Sequence, residues 1–441
     1  MSRLAEKSAA VLTRDGFFTN LLSTVFEPRW PGKTVEDSRS IIEQCNALIE
    51  ARGDTAILRL AGSILTAYQD LSDEGRISFF RYLVEELELD SQKVAEAAEA
   101  FGQDGSADNL AALMTSAEPA RQTLFRKLNQ STGATARLVA MRNDLLRDMR
   151  EHPDFAKIDL DLVHLFNSWF NRGFLVLRRI DWSTPATILE TIIAYEAVHQ
   201  INDWDDLRRR TQPVDRRCYA YFHPRLRDDP LIFVEIALTQ GIPQSIHSVL
   251  SEDREPDDVE ALDTAVFYSI SNCQTGLQGI SFGESLIKHV VANLSDELPH
   301  LKTFVTLSPI PGLRRWAEAE GHLVEPIREA VAEGLDVEDG SSDSLNALAA
   351  YYLAKAKRKD GLPRDPVARF HLSNGAQIHD VLAEADLSEK GVQQSYGAMV
   401  NYRYDIAKLE KNSDAFANDA KIARSRRVQL LQRQGAAQVA K

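Results

Sequence analysis

Apolar positions in the first part of the chain recur at helical spacing. In LSDEGRISFFRYLVEELEL the residues Phe80, Leu83, Val84 and Leu87 fall on one face, and Ser72 and Asp73 stand before them as caps. TAILRLAGSILTAYQDL and ARLVAMRNDLLRDMREH repeat the spacing, and LDLVHLFNSWFNRGFLVLRRI is apolar enough to be a largely buried helix. No strand-and-turn signal interrupts this stretch, so residues 1–180 read as an all-helical domain whose plain role is scaffold or assembly surface. The pattern changes near residue 181. ATILETIIAYEAVHQI reads as a last long helix. RCYAYFHP and LIFVEIALT, parted by the turn-rich RLRDDP, then read as an antiparallel hairpin. AVFYSIS and TFVTLSP are two further strands, with a helix between them whose apolar face is Phe282, Leu286, Val290, Val291 and Leu294. Strand, helix, strand in close succession predicts a right-handed crossover and parallel pairing. The acidic AEGLDVEDGSSDS (332–344) reads as an exposed loop, followed by the helix LNALAAYYLAKAKRK. Residues 181–441 are therefore a mixed-sheet domain, and the fold class is α+β.

Length agrees with two domains, since 441 residues exceed what one core usually organises. The formal net charge of −14 repels nucleic-acid phosphates and anionic membrane surfaces, so neither partner is expected. Cys45, Cys218 and Cys273 have no metal-ligand spacing, which makes them small buried hydrophobes in a reducing compartment and leaves no metal site expected. The N-terminus lacks the apolar core of a signal peptide and no run is long enough for a membrane span, so the expected location is the cytoplasm.

Candidate chemistry starts with the loop between the two parallel strands. A glycine loop that leaves a strand and opens a helix presents backbone N–H groups to phosphate oxygens. Gly276, Gly279 and Gly283 match neither a Walker loop nor a dinucleotide fingerprint, so the glycines alone leave a phosphate cradle and a plain turn both open. Parallel strands end on one sheet edge. Ser308 in TLSPIPG should therefore sit beside that loop, although Ser-Pro is also an ordinary turn opening. His371 in FHLSNGA follows a proline-rich loop, and its place relative to Ser308 is not readable from spacing. The basic run from Lys355 to Lys359 either holds a phosphate or, more simply, complements a helix end.

Four separated stretches, SISNCQTGLQGISFGESLIKHVV, TLSPIPGLRRW, FHLSNGA and GAMVNYRYD, together resemble the malonyl-CoA decarboxylase family, in the same order along the chain. The resemblance covers most of residues 181–410. It implies a catalytic domain of the GNAT acyltransferase fold behind a helical oligomerisation domain, a bacterial-type cytosolic form and a homotetramer built as a dimer of dimers. It implies that Gln278, Gly279, Ile280, Ser281, Phe282, Gly283 and Glu284 hold the pyrophosphate of coenzyme A, with Ser281 standing where some members carry a glutamate. The family's serine falls on Ser308, its histidine on His371, and a tyrosine of its NYRY motif on Tyr404.

The implied reaction converts malonyl-CoA to acetyl-CoA and CO2 through a thioester enolate. Its own carbonyl is the electron sink, so no cofactor is expected beyond the coenzyme A of the substrate. Histidine suits proton delivery because its pKa lies near working pH. Following the family, His371 is the expected proton donor, with Ser308 hydrogen-bonding the carboxylate or enolate or acting as the pair's proton acceptor, and Tyr404 orienting the substrate or His371. Two other functions stay open on the sequence: a GNAT-type N-acyltransferase, and a non-catalytic acyl-CoA sensor.

Overall fold

The computed structural model describes residues 37–226, 228–253, 259–280, 286–319 and 341–439. The chain divides into two compact units. One is Met1–Leu175 with the returning segments His223–Arg227 and Gln274–Ile280, and the other holds the rest.

The first unit is helical: α1 (Ile41–Glu50), α2 (Asp54–Gln69), α3 (Asp73–Glu85), α4 (Ser91–Gln103), α5 (Ala107–Ser116), α6 (Ala120–Leu128), α7 (Ala134–Asp148) and α8 (Ala156–Trp169). Short polar residues start several of them. The Ser40 and Glu43 side chains make a reciprocal capping box on α1, and the Ser72, Asp90 and Ser106 side chains accept from backbone N–H groups in the first turns of α3, α4 and α5. The core is aromatic, with Tyr68, Phe79, Phe80 and Phe155 in edge-on and tilted contact.

The second unit is a mixed sheet with helices. β1 (Val176–Ile180), β2 (Arg216–Phe222), β3 (Pro230–Thr239) and β4 (Thr264–Asn272) pair antiparallel in turn. β4 then pairs in parallel with β5 (Thr303–Thr306), as the crossover pattern predicts. β5 and the two-residue β6 (Ser308–Pro309) both pair with β8 (Met399–Arg403), whose other neighbour is β7 (Gln377–Leu382). The parallel register runs from Thr264 opposite Thr303 to Phe267 opposite Thr306. There the strands part. β4 carries a bulge at Tyr268, since Ile236 faces Phe267 while Glu235 faces Ser269, and it runs on beside β3 alone among the described strands. The other strand turns away so that Ser308 faces Val400.

Around this sheet lie α9 (Ala186–Tyr195), α10 (Trp204–Thr211), α11 (Ile246–Leu250), α12 (Leu286–Glu297), α13 (Leu313–Ala319), α14 (Ser341–Lys355), α15 (Pro366–Ser373), α16 (Glu389–Ser395), α17 (Leu409–Asp419) and α18 (Arg426–Val439). An all-helical region followed by a mixed-sheet domain is the expected fold class.

Three expectations need correction. The apolar stretch to Ile180 is not one helix: α8 stops at Trp169, and Val176–Ile180 is the edge strand β1, paired from Val176 opposite Phe222 to Ile180 opposite Cys218. Pairing with a ready strand outweighs the local helical period there. The long helix read up to Ile201 ends at Tyr195, where Glu196 turns extended and its carboxylate collects the Ser269 and Ser271 hydroxyls and the Val198 and His199 N–H groups. The end of the acidic stretch, Ser341–Ser344, begins α14, while residues 332–340 lie outside those described. His371, which follows the proline-rich loop as read, sits in the helix α15 that this loop opens. Among the described residues no helix is long and apolar enough to cross a membrane. All three cysteines are buried free thiols.

Candidate active site

Ser308, His371 and Tyr404 come together on one face of the mixed sheet. Ser308 is held at the start of β6, where the strand has already left β4. His371 is presented by α15, which opens with an N-cap and a fixed φ. Asp365 Oδ1 accepts from Ala368 N at 2.8 Å and Pro366 occupies the first turn. The helix closes on Gly375 at φ +84, where a β-carbon would strike the Leu409 backbone. Tyr404 follows β8, and its N–H donates to Phe304 O at 2.8 Å. Sequence spacing left His371 unplaced, so its meeting with Ser308 is a product of topology.

The side chains form one chain of hydrogen bonds. Ser308 Oγ lies 3.2 Å from His371 Nε2 and donates to Thr306 Oγ1 at 2.8 Å. His371 Nδ1 lies 2.8 Å from Tyr404 Oη. One set of proton positions satisfies every member: Tyr404 O–H donates to Nδ1, Nε2–H donates to Ser308 Oγ, and Ser308 O–H donates to Thr306. Thr306 Oγ1 also accepts from Tyr402 N at 3.2 Å. The Tyr402 ring stacks on the imidazole, with centroids 4.4 Å apart and planes at 23°. Thr306 and Tyr402 were not singled out from sequence. Their signal was alternation: Thr306 lies two residues before Ser308 and Tyr402 two before Tyr404, each on the same sheet face.

The site is dry. His371 is 2 % exposed, and burial alone pushes its imidazolium pKa down to about 3. Tyr404 and Tyr402, equally buried, have their hydroxyl pKa values driven well above the usual range. Each hydrogen-bond partner of the ring is a neutral hydroxyl, so His371 rests as neutral imidazole. Such a histidine is ready to accept a proton once a negative charge arrives beside it.

Of the seven residues expected to cradle a pyrophosphate, Gln278, Gly279 and Ile280 are described. The carbonyls of Gly276 and Gln278 each accept from Arg142 Nη1 of α7 at 2.8 Å. Gly276 is packed so closely on the Val139 backbone that no β-carbon fits, and Gly279 has φ +83 with open space around it. Arg142 was not foreseen, because a helical arginine in an amphipathic pattern gives no sign of a distant loop. Ser281, Phe282, Gly283 and Glu284 lie outside the described residues, and with them the expected meeting of Ser308 with that loop. Among the described residues no group of three or more His, Cys, Asp or Glu is placed to hold a metal ion.

Comparison with known proteins agrees with this architecture. The malonyl-CoA decarboxylase C-terminal domain matches residues 173–441 and the N-terminal domain of the same family matches residues 87–170. Malonyl-CoA decarboxylase, mitochondrial, of Anser anser anser is 33% identical over 401 residues, which is 81% of this chain and 76% of the relative. The crystal structure of malonyl-CoA decarboxylase from Rhodopseudomonas palustris is 45% identical, with TM-score 0.83 over 91% of this chain and 100% of that one. That from Agrobacterium vitis is 43% identical, with TM-score 0.81 over 89% of this chain and 99% of the other. With both domains matched in order along one chain, and relatives of one name aligned across most of its length, the chain belongs to the malonyl-CoA decarboxylase family.

Proposed function

We propose that this protein decarboxylates malonyl-CoA to acetyl-CoA and CO2, with His371 carrying the proton and Ser308 holding the substrate oxygens. The observation that carries this reading is the buried Tyr404–His371–Ser308–Thr306 chain, which ends a hydroxyl and an imidazole in one dry place. A malonyl carboxylate must be ionised to lose CO2. Set against Ser308 Oγ, it brings the negative charge that an imidazolium lacks in the free protein. His371 then takes up a proton together with substrate. The C–C bond to the carboxylate breaks, its electron pair enters the thioester carbonyl, and CO2 leaves. Ser308 donates to the oxygen that gains charge. The imidazolium returns its proton to the methylene carbon, which leaves acetyl-CoA and neutral His371. Charge and atoms balance with one proton taken from solvent per turnover. Tyr404 and the stacked Tyr402 fix the plane of the ring. The thioester carbonyl is the electron sink, so these steps call for no metal.

The parting of β4 and β5 after Phe267 and Thr306 supports the same reading, because an extended thioester arm laid beside Ser308 would need strand edges that do not pair with each other. The glycine loop is then the seat of the coenzyme A pyrophosphate, and the helical region the surface for a homotetramer. A monomer in sedimentation would remove the tetramer. The test of the chemistry is CO2 release and acetyl-CoA formation from malonyl-CoA with a chelator present, for the wild type and His371→Asn. Turnover by the wild type and a loss of roughly a hundredfold or more in a folded variant is the expected result. A folded wild type that binds coenzyme A and releases no CO2 would overturn it.

A further inference from the structure

The second unit also carries a cleft of about 700 Å³, lined by none of the residues of that hydrogen-bonded chain and of a size that suits a small ligand. Its walls bring Lys355 and Lys357 from the end of α14 together with Lys421 and Arg424 from the segment between α17 and α18. Its described lining includes no acidic side chain, in a protein whose net charge is −14. Among the described residues none of the four cations pairs with a carboxylate, whereas the neighbouring Arg358 is paired with Asp360. The cost of the arrangement is visible at Lys357. Its ammonium pKa is lowered by partial burial and by the facing charges of Arg424 and Lys355. Cations gathered without a counter-charge are the recognition chemistry of a multivalent anion.

The rest of the cleft fits such a ligand. Gln377 and Gln429 bring amides to its wall. Ile422 and Ala423 supply an apolar wall. None of the cleft's lining residues belongs to the Tyr404–His371–Ser308–Thr306 chain, and Gln377 faces Arg403 at one end of β8 whereas the C-terminal ends of β4 and β6, where the acyl-CoA loop is expected, lie towards Met399 at its other end. We propose that this cleft is a second anion site, which binds a small polyphosphate-bearing metabolite independently of the acyl-CoA substrate.

Polyphosphate chemistry has two sources here, a free phosphorylated metabolite and the phosphates of coenzyme A itself. The test separates them. Inorganic tripolyphosphate, free of magnesium, is titrated calorimetrically into the full-length protein at about 0.15 M salt, where long-range attraction is largely screened. The titration is repeated with saturating acetyl-CoA and with the double variant Lys357→Ala/Lys421→Ala. The expected result is binding to the wild type that acetyl-CoA leaves unchanged and that the double variant weakens at least tenfold. The KM for malonyl-CoA should stay within twofold of wild type in the same variant. Absent binding, binding indifferent to the double variant, or displacement by acetyl-CoA together with a raised KM would each overturn the second site. Neither result touches the decarboxylase reading, which turns on His371.

Discussion

At the scale of single residues, the proposed chemistry turns on the neutral state of His371. Its hydrogen-bond partners are neutral hydroxyls, so no charged group in the free protein offsets the burial that disfavours an imidazolium. The ring should therefore show no titration between pH 5 and 8 in the free protein, as followed by NMR of its Cε1 proton. Binding of succinyl-CoA, whose carboxylate cannot leave, should be accompanied by proton uptake approaching one per site. Calorimetry in buffers of different ionisation enthalpy reads this directly, and uptake that persists in His371→Asn would assign the proton elsewhere. Thr306 offers a separate test. Its hydroxyl accepts from both Ser308 Oγ and Tyr402 N, so Thr306→Val frees Ser308 to rotate and leaves a buried N–H unpaired. A loss of about 1–3 kcal/mol in urea stability is expected for the orphaned donor. A fall of roughly tenfold in kcat with KM little changed is expected if Ser308 acts mainly after binding. A rise in KM alone would mean that Thr306 serves substrate binding.

At the scale of elements, α15 is the part that delivers the histidine, and its two ends are separately testable. Gly375 ends it at φ +84 against the Leu409 backbone, so Gly375→Ala meets both a left-handed conformation and a backbone collision. A loss of at least about 2 kcal/mol in denaturant midpoint analysis is expected, with kcat falling in the fraction that remains folded. This helix also marks where the sequence was legible and where it was not. Asp365-Pro366 at the start and Gly375 at the end are ordinary helix punctuation, yet the eight residues between them hold too few apolar repeats to declare a helix beside a proline-rich loop. The long amphipathic helices and the hairpin of β2 and β3 were readable because their periods run for many residues. β1 was hidden because Leu175 to Ile180 continues the apolar run of α8 and becomes a strand through its pairing with β2. The parallel crossover placed Ser308 at a strand end, but long-range pairing with β8 brought His371 and Tyr404 to it. No local pattern encodes that meeting.

At the scale of the whole molecule, two buried groups on the sheet domain should tilt the pH–stability curve in opposite directions. Glu235 on β3 is fully buried, and burial with the nearby Glu196 carboxylate raises its pKa from 4.5 to about 8 against the opposing pull of Arg210, whose Nη1 lies 3.2 Å from Oε2. Arg210 is shared with Asp206 through Nε and Nη2 at 3.1 Å each, so its charge is already partly answered. The folded state favours the neutral carboxyl. Its contribution is whole below the ordinary 4.5 and is lost as pH rises through about 8. His371 behaves in the opposite sense. Its folded pKa is depressed, so its contribution is present above the ordinary 6.5 and is lost as pH falls through about 3. Each such group gives a limiting slope of about 1.4 kcal/mol per pH unit within its window. Between pH 4.5 and 6.5 the two slopes oppose one another, so urea midpoints of the wild type should fall above pH 6.5 and up to about 8, and Glu235→Gln, which cannot ionise, should lessen that fall while leaving the dependence below pH 4.5 unchanged. His371→Asn should lessen the acid-side loss, most cleanly below pH 4.5, and leave the fall above pH 6.5 as it is. A Glu235→Gln variant that loses stability in parallel with wild type from pH 6.5 to about 8 would mean that Arg210 holds the carboxylate ionised in the fold. The buried network behind β3 would then be an ion pair rather than a neutral acid beside an arginine.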